Sequence, residues 1–404
     1  MPTTIKTLSP EVGRIDTAGL RGYDADALAK CALDAGQPWW RRTACAEALA
    51  GRVPQRRVDE LTACLQDTGD VGTVRIALLH LLADRTELLP WLRHEDRGQD
   101  SAYGMAEAVL EARSALGDLT AVGALSTLAF GPWRHRREIG EAELDELTAR
   151  HGAEAVLARL DVARPEDRSV IVRMRRHAGE DVTDALADPD RGVAHRAQEF
   201  LADPVRLRGA LAAAPTEEAK LWAVYALHRL TDDTAETRHL YEELGRPRVE
   251  VSGLDEELRA AIVHEYGPWA EERSDPRWRI EALCTQPPPA ADPAERLQRA
   301  SAALTAAGLA PKPPLSCGEA HRQGDGTYDV IGYGESGGEV HISTLGRFAA
   351  DHDEDPDVRR ALESAGFRWI DDAVGSIRVT DLGVYHFGSR NPLDVRTLLF
   401  YWQD

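Results

Sequence analysis

The sequence predicts a mainly α chain: a helical-repeat domain over residues 1–285, a Pro/Ala-rich linker with one helix over 286–315, and a small acidic α+β domain over 316–404. Three observations carry this reading. Apolar residues recur at helical spacing through the first part, proline clusters bracket 286–315, and alternating β-branched and aromatic runs begin only after it. A chain of 404 residues accommodates two or three such units, and 43% apolar with 29% charged residues is a globular composition.

The helical part is read from stripes. Val74, Ala77, Leu78, Leu81 and Leu82 lie at i, i+3, i+4, i+7 and i+8; Val193, Ala197, Phe200 and Leu201 repeat the pattern, as do Ala223, Ala226, Leu227 and Leu230. Helix starts are expected at Ser9-Pro10, Asp188-Pro189, Asp203-Pro204 and Asp275-Pro276. In each, the first residue can cap exposed amides while proline occupies a first-turn position where no donor is missed. Ala-Leu or Leu-Leu pairs ending at Leu49, Leu82 and Leu116 are 33 and 34 residues apart, the scale of a two-helix repeat.

The stretches "DPDRGVAHRAQEFLAD" (188–203) and "DPRWRIEALCTQ" (275–286) resemble degenerate HEAT-type helices. The resemblance extends over roughly residues 35–285 and implies an α-solenoid of stacked antiparallel pairs with a concave face, since no single pair buries its stripe alone. A compact irregular helical domain is the alternative. The linker "QPPPAADPAERLQRASAALTAAGLAPKPPL" has prolines at both ends that cannot continue a helix, around a helical spacer from about residue 293 to 307.

In the last 89 residues, strands are expected at 327–331, 339–345, 367–371, 376–380 and 384–387. One helix is expected from Pro356, capped by Asp355 and stopped by Gly366. A second is expected in "NPLDVRTLLFYW", with Asn391 as cap, Pro392 in the first turn and Asp394 closing a capping box. Residues 316–404 hold eight arginines against sixteen acidic residues, a net of −8 out of −20 for the chain.

Bulk properties narrow the function classes. The start "MPTTIKTLSP" lacks an apolar signal core, and no run approaches the roughly 18 apolar residues that span a bilayer, so a cytoplasmic location without membrane partners is expected. Cys31, Cys45, Cys64, Cys284 and Cys317 contain no C-x-x-C pair and read as reduced thiols, not as a disulfide or zinc framework. The net charge of −20 disfavours nucleic acid unless a basic patch overrides it. With lysine only at positions 6, 30, 220 and 312, nearly all positive charge is arginine.

Little reads as chemistry. "DVIGYGESGGEVHI" (329–342) contains G-x-G-x-x-G, but a dinucleotide site needs a helix after the glycines and "EVHISTL" is a strand. It superficially resembles a kinase glycine loop, which needs a lysine on the following strand, and none follows Lys312. A β-hairpin with glycine at positive φ is the expected structure. Cys317 precedes His341 and the acidic run 351–357, the Cys, His, Asp order of several thiol hydrolases, with Cys317 as nucleophile and His341 as base. Glu339, His341, His352, Asp353, Asp355 and Asp357 offer metal donors but at no metal-site spacing, so a solvated acidic loop is expected and no metal or cofactor. His80, His195 and His228 lie in amphipathic helices without partners at metal spacing and read as structural.

Two binding readings remain. In the leading one the protein is a non-enzymatic interaction protein, such as an immunity or inhibitor protein or an adaptor, whose acidic C-terminal module engages a basic protein partner. Its contacts would be Asp351, Asp353, Glu354, Asp355 and Asp357, with Asp371 and Asp372 as a second patch. In the alternative, tryptophan–arginine clusters line a groove for nucleic acid, through Trp39, Trp40, Arg41, Trp133, Arg134, Arg136 and Arg137. HEAT-like DNA glycosylases have such a groove, and the resemblance implies DNA processing, although no carboxylate motif here matches their catalytic position.

Overall fold

The computed structural model describes residues 17–94, 102–288, 292–335, 337–351 and 355–403. The chain is mainly helical, with a small strand-containing region at its C-terminal end. Among the described residues, no helix is long and apolar enough to cross a membrane. Contacts divide the chain into Met1–Met174 and Arg175–Asp404.

In the first unit, helices Trp39–Ala48, Gly72–Leu81, Met105–Ala115 and Arg134–His151 pack each on the next, their starts 33, 33 and 29 residues apart. The expected stripe is the contact: Val74, Ala77, Leu78 and Leu82 are buried, and Leu81 packs at the edge. A second regularity is polar. Arg42 Nε donates to the Ala32 carbonyl at 2.8 Å, and Arg75 Nε donates to the Leu65 carbonyl at 3.0 Å. Each guanidinium is buried and reaches the end of the preceding helix, Ala25–Leu33 or Val58–Gln66. Terminal carbonyls have no intrahelical donor and carry the negative end of the helix dipole, so an arginine there satisfies both itself and the helix.

Arg42 also forks onto Asp70, at 2.7 and 2.5 Å. Those bonds are the main reason the Asp70 carboxyl is held down to about 2, against the opposing effect of burial. A folded value below the unfolded one means that the contribution is complete above roughly pH 4 and is lost as pH falls through about 2. Asp70→Asn is therefore expected to cost the first unit about 2 kcal/mol or more near neutral pH, and far less once Asp70 itself is protonated. Urea unfolding at both pH values checks this; a gap that did not narrow in acid would refute it.

In the second unit, helices Arg191–Phe200, Glu217–Thr231 and Pro276–Cys284 pack in succession. Asp203 and Asp275 cap their helices as expected. The start at Asp188-Pro189 is corrected: Asp190 is the cap, accepting from Gly192 and Val193 N–H, and Asp188 accepts from Asp190 N–H one turn earlier. Ser9-Pro10 lies outside the described residues.

The strands are β1 (Leu315–Ser316), β2 (Asp325–Gly326), β3 (Tyr328–Tyr333), β4 (Gly338–Ser343), β5 (Phe348–Asp351), β6 (Arg368–Trp369), β7 (Arg378–Val379), β8 (Leu393–Asp394) and β9 (Trp402–Gln403). The main sheet runs β1-β3-β4-β5-β6, antiparallel except for β5–β6, which the helix Pro356–Ser364 connects. β2 pairs with β9 and β7 with β8. The glycine-rich stretch turns the β3–β4 hairpin, with Tyr333 opposite Gly338 and positive φ at Gly334 and Gly337; Ser336 lies outside the described residues. A Cβ on Gly338 would lie 2.5 Å from the Tyr333 ring, so glycine lets that ring cover the strand and its hydroxyl reach Asp351, at 2.6 Å.

One sheet face buries Ile331, Val340, Ile342 and Ala349 against Ala300 and Leu304 of helix Pro293–Ala306 and Val358 and Leu362 of helix Pro356–Ser364. The helix expected as a linker spacer is thus part of this core. A second core joins Leu258, Ile262, Tyr266 and Trp278 of the helical region to Phe348, Ile370, Val395, Leu398 and Leu399. Tyr266 Oη donates to the Leu398 carbonyl at 2.6 Å, and Ser274 Oγ to the Leu382 carbonyl at 2.7 Å. Packing is continuous across position 285.

Other elements also differ from expectation. Residues 384–387 are not a strand: 386–389 form a tight turn closed by a bridge between His386 and Ser389. The last helix, Val395–Leu399, is capped by Asp394 instead of Asn391, because Leu393–Asp394 are held as β8 beside β7.

Candidate functional site

The exposed end of the C-terminal strands carries a chain of aromatic rings. In β3 and β4, Val330 lies opposite His341, which puts Tyr328, Val330 and His341 on the sheet face away from the Ile331–Val340 core. Against that face sits the short helix Cys317–His321, opened by a capping box in which Ser316 Oγ accepts from Glu319 N–H and the Glu319 carboxylate accepts from Ser316 N–H. Cys317 is buried against Tyr328 and Val330, with Phe400 and Trp402 alongside.

β9 brings Trp402 beside this helix by pairing with β2, where Gly326 faces Trp402. Glycine is required there: a Cβ on Gly326 would collide with the Tyr401 carbonyl, and one on Gly324 with the Gln403 carbonyl. The indole is then fixed from several sides. Its Nε1–H donates to the Gln323 carbonyl at 3.1 Å, His321 stacks on it at 4.2 Å between centroids, and Phe387 lies against it at 5.2 Å. His321 Nε2 and the Tyr328 hydroxyl share a hydrogen bond of 2.8 Å. Burial pushes the Tyr328 phenol up to about 12, so it stays protonated at neutral pH.

Phe387 is held at a cost. His386 and Ser389 exchange both backbone hydrogen bonds, at 2.8 and 2.9 Å, closing a two-residue turn with Phe387 at φ 42° and Gly388 at φ 82°. Left-handed backbone at a bulky residue costs about 1–2 kcal/mol, and this turn spends it on a ring that is 50% exposed. Tyr401 Oη anchors the loop by donating to the Tyr385 carbonyl at 2.6 Å. Around the rings, Glu319, Asp325 and Glu339 are exposed carboxylates, with Arg322 as a basic neighbour.

The acidic residues singled out from sequence have structural tasks. Asp351 is buried and accepts from Tyr333, Asp355 caps helix Pro356–Ser364, and Asp371 caps helix Asp372–Gly375. Asp357 pairs with Arg360 and Asp372 with Arg396, both at 2.8 Å. Asp353, Glu354 and His352 lie outside the described residues.

The tryptophan–arginine residues fall in the first unit, with their positive charge engaged. Arg41 lies over Trp40 at 4.9 Å and donates to Gln37; Trp39 is 52% exposed. Trp133 precedes helix Arg134–His151 as its N-cap. Arg134 pairs with Glu138 and Arg136 with Glu107, at 2.8 and 2.6 Å, while Arg137 donates to the Gly131 and Pro132 carbonyls.

Cys317 and His341 both border the Tyr328 ring, His341 at 4.6 Å between centroids. The Cys317 thiol is raised, by burial first and by Asp325 and Asp329 after it, although hydrogen bonds from Tyr328 and Gly318 N–H work the other way. An activated nucleophile needs the opposite shift.

Sequence reasoning passed over His321, Phe387 and Trp402. The available signals were the S-x-x-E capping box at 316–319 and a residue-glycine pair at 387–388 between aromatic neighbours. No family model matches the chain, and no curated protein or solved structure matches it.

Proposed function

We propose that the protein acts by binding another protein, and that the ledge of His321, Trp402 and Phe387 is its contact surface for a basic partner. The helical region serves this reading as a HEAT-like scaffold, supported by the recurrent arginine at positions 42 and 75. The observation that carries the proposal is Phe387: a strained, half-exposed aromatic beside a fixed indole. Rigid aromatic side chains are the usual anchors of interfaces, since little entropy is lost when they are covered. Carboxylates at the rim and a net of −8 over 316–404 favour a partner of positive charge. The nucleic-acid reading draws less support, because Arg136 pairs with the largely buried Glu107 and the chain carries a net charge of −20. The thiol-hydrolase reading is weakened by the raised thiol of Cys317.

The test is affinity capture by the full chain, comparing it with Trp402→Ala and Phe387→Asn. Asparagine tolerates left-handed backbone, so Phe387→Asn is expected to keep stability within about 1 kcal/mol. Each variant is expected to weaken binding of a basic protein at least about tenfold, as central aromatic anchors do, and added salt should weaken binding further. Retention of the same protein by both variants at unchanged affinity would sink the proposal.

A further inference from the structure

Away from the ledge, in the helical part of the second unit, lies a cleft of about 520 Å³. It is bordered by Arg238, Tyr241, Arg246, Arg248 and the C-terminal end of helix Pro276–Cys284, with Glu242 as the one lining carboxylate. Its size falls within the range of small-molecule sites.

Local structure explains the convergence. Helix Thr234–Glu243 carries Arg238 and Tyr241 on neighbouring turns. After it, Gly245 at φ 82° and Arg246 at φ 56° reverse the chain, with Arg246 N–H donating to the Tyr241 carbonyl at 2.9 Å. The reversal brings Arg246 and Arg248 back beside Tyr241. Arg248 is held by Glu256 at 2.8 Å and Glu281 at 3.2 Å. Arg246 pairs with Glu242 where both are exposed, an interaction easily exchanged.

Two groups are left over. Arg238 is exposed, donates Nε–H to the Cys284 carbonyl at 3.3 Å, and among the described residues forms no ion pair. Tyr241 is 2% exposed and borders the cleft; the Arg248 guanidinium approaches its hydroxyl but can only donate, and among the described residues no acceptor takes the hydroxyl proton. A buried hydroxyl proton without an acceptor is costly, and native structures rarely leave one so.

We propose that this cleft is a binding site for a small oxyanion, a phosphate or carboxylate group, that takes a hydrogen bond from the Tyr241 hydroxyl and charge-assisted bonds from Arg238 and Arg246. Guanidinium forks match the edge geometry of such anions. Burial pushes the Tyr241 phenol up to about 12, so the hydroxyl remains a donor at neutral pH. Cys284, raised to about 11 by the same cause, stays a neutral thiol and adds no competing charge. The site is independent of the protein-binding reading above.

Titration calorimetry on the full chain, with inorganic phosphate and succinate as separate probes, tests this and distinguishes the two anion sources by their relative affinity. Saturable binding of at least one probe is expected, weakened about tenfold by Tyr241→Phe and by Arg238→Met, since each removes one anion-bound donor. Tyr241→Phe deletes one oxygen and keeps the ring, giving up only the Arg248 contact, so without anion its melting temperature should stay within about 4 °C of the parent's. With anion it should lose most of the ligand-induced rise. Binding unaffected by both substitutions, or absent for both probes up to about 10 mM, roughly the weak limit of a specific small-anion site, would overturn the proposal.

Discussion

Residues 286–404 produced alone are expected not to fold cooperatively, whereas Arg175–Asp404 is expected to fold as a unit. The shorter fragment would uncover the side of Phe348, Ile370, Val395, Leu398 and Leu399 that packs on Leu258, Ile262, Tyr266 and Trp278. Fully burying each such side chain is worth roughly 1.5–3 kcal/mol, so exposing several removes an amount comparable to the whole ~5–15 kcal/mol stability of a domain. The Leu398 and Leu382 carbonyls would also lose Tyr266 and Ser274 as donors. Thermal melting by circular dichroism on both fragments decides the matter. A sharp transition in 286–404 at the same temperature as in Arg175–Asp404 would show that the shared core is dispensable.

Glu281→Ala is expected to be the most damaging single substitution in the second unit. Glu281 and Arg259 are both buried and meet in a two-pronged pair at 2.7 and 2.6 Å, with Arg248 adding a contact at 3.2 Å. Arg259 also donates to the Val249 carbonyl and lies over the Trp278 ring at 4.9 Å, so it cannot swing into water without breaking other contacts. Removing one member of a buried pair strands the other charge, which costs about 3–5 kcal/mol, while replacing both with apolar residues of similar volume is often neutral. Urea unfolding should therefore show a large loss for Glu281→Ala and substantial recovery in the double variant Arg259→Met with Glu281→Leu. A loss below about 1 kcal/mol in the single variant, the scale of an exposed pair, would mean that the pair is solvated.

Parts of this architecture were legible because they depend on neighbours in the chain. The Asp-Pro starts at 203, 275 and 355 work through their own side chains and the next two amides, and they appear where the sequence puts them. The glycine hairpin likewise follows from local backbone freedom. Where a rival partner lay farther away, local reading lost. Asn391-Pro392 has the form of a helix start, but pairing of Leu393–Asp394 with Arg378–Val379 holds that segment extended and passes the cap to Asp394. β5 was missed because "FAA" has weak strand propensity and is extended only between β4 and β6. In the candidate sites, Asp351 looked like a surface acid until Tyr333, folded over Gly338, supplied its partner.

By itself, then, the sequence determined helix stripes, caps, the change to strands after the proline clusters, and the acidity of the last 89 residues, all of which depend on residue type and short-range spacing. Tertiary structure alone decided which groups meet: one core across position 285, the arginines at 42 and 75 on preceding helix ends, the ledge of His321, Trp402 and Phe387, and the cleft beside Tyr241. Those meetings join residues ten or more positions apart, and whether a buried polar group finds its partner there is a property of packing that no local pattern encodes.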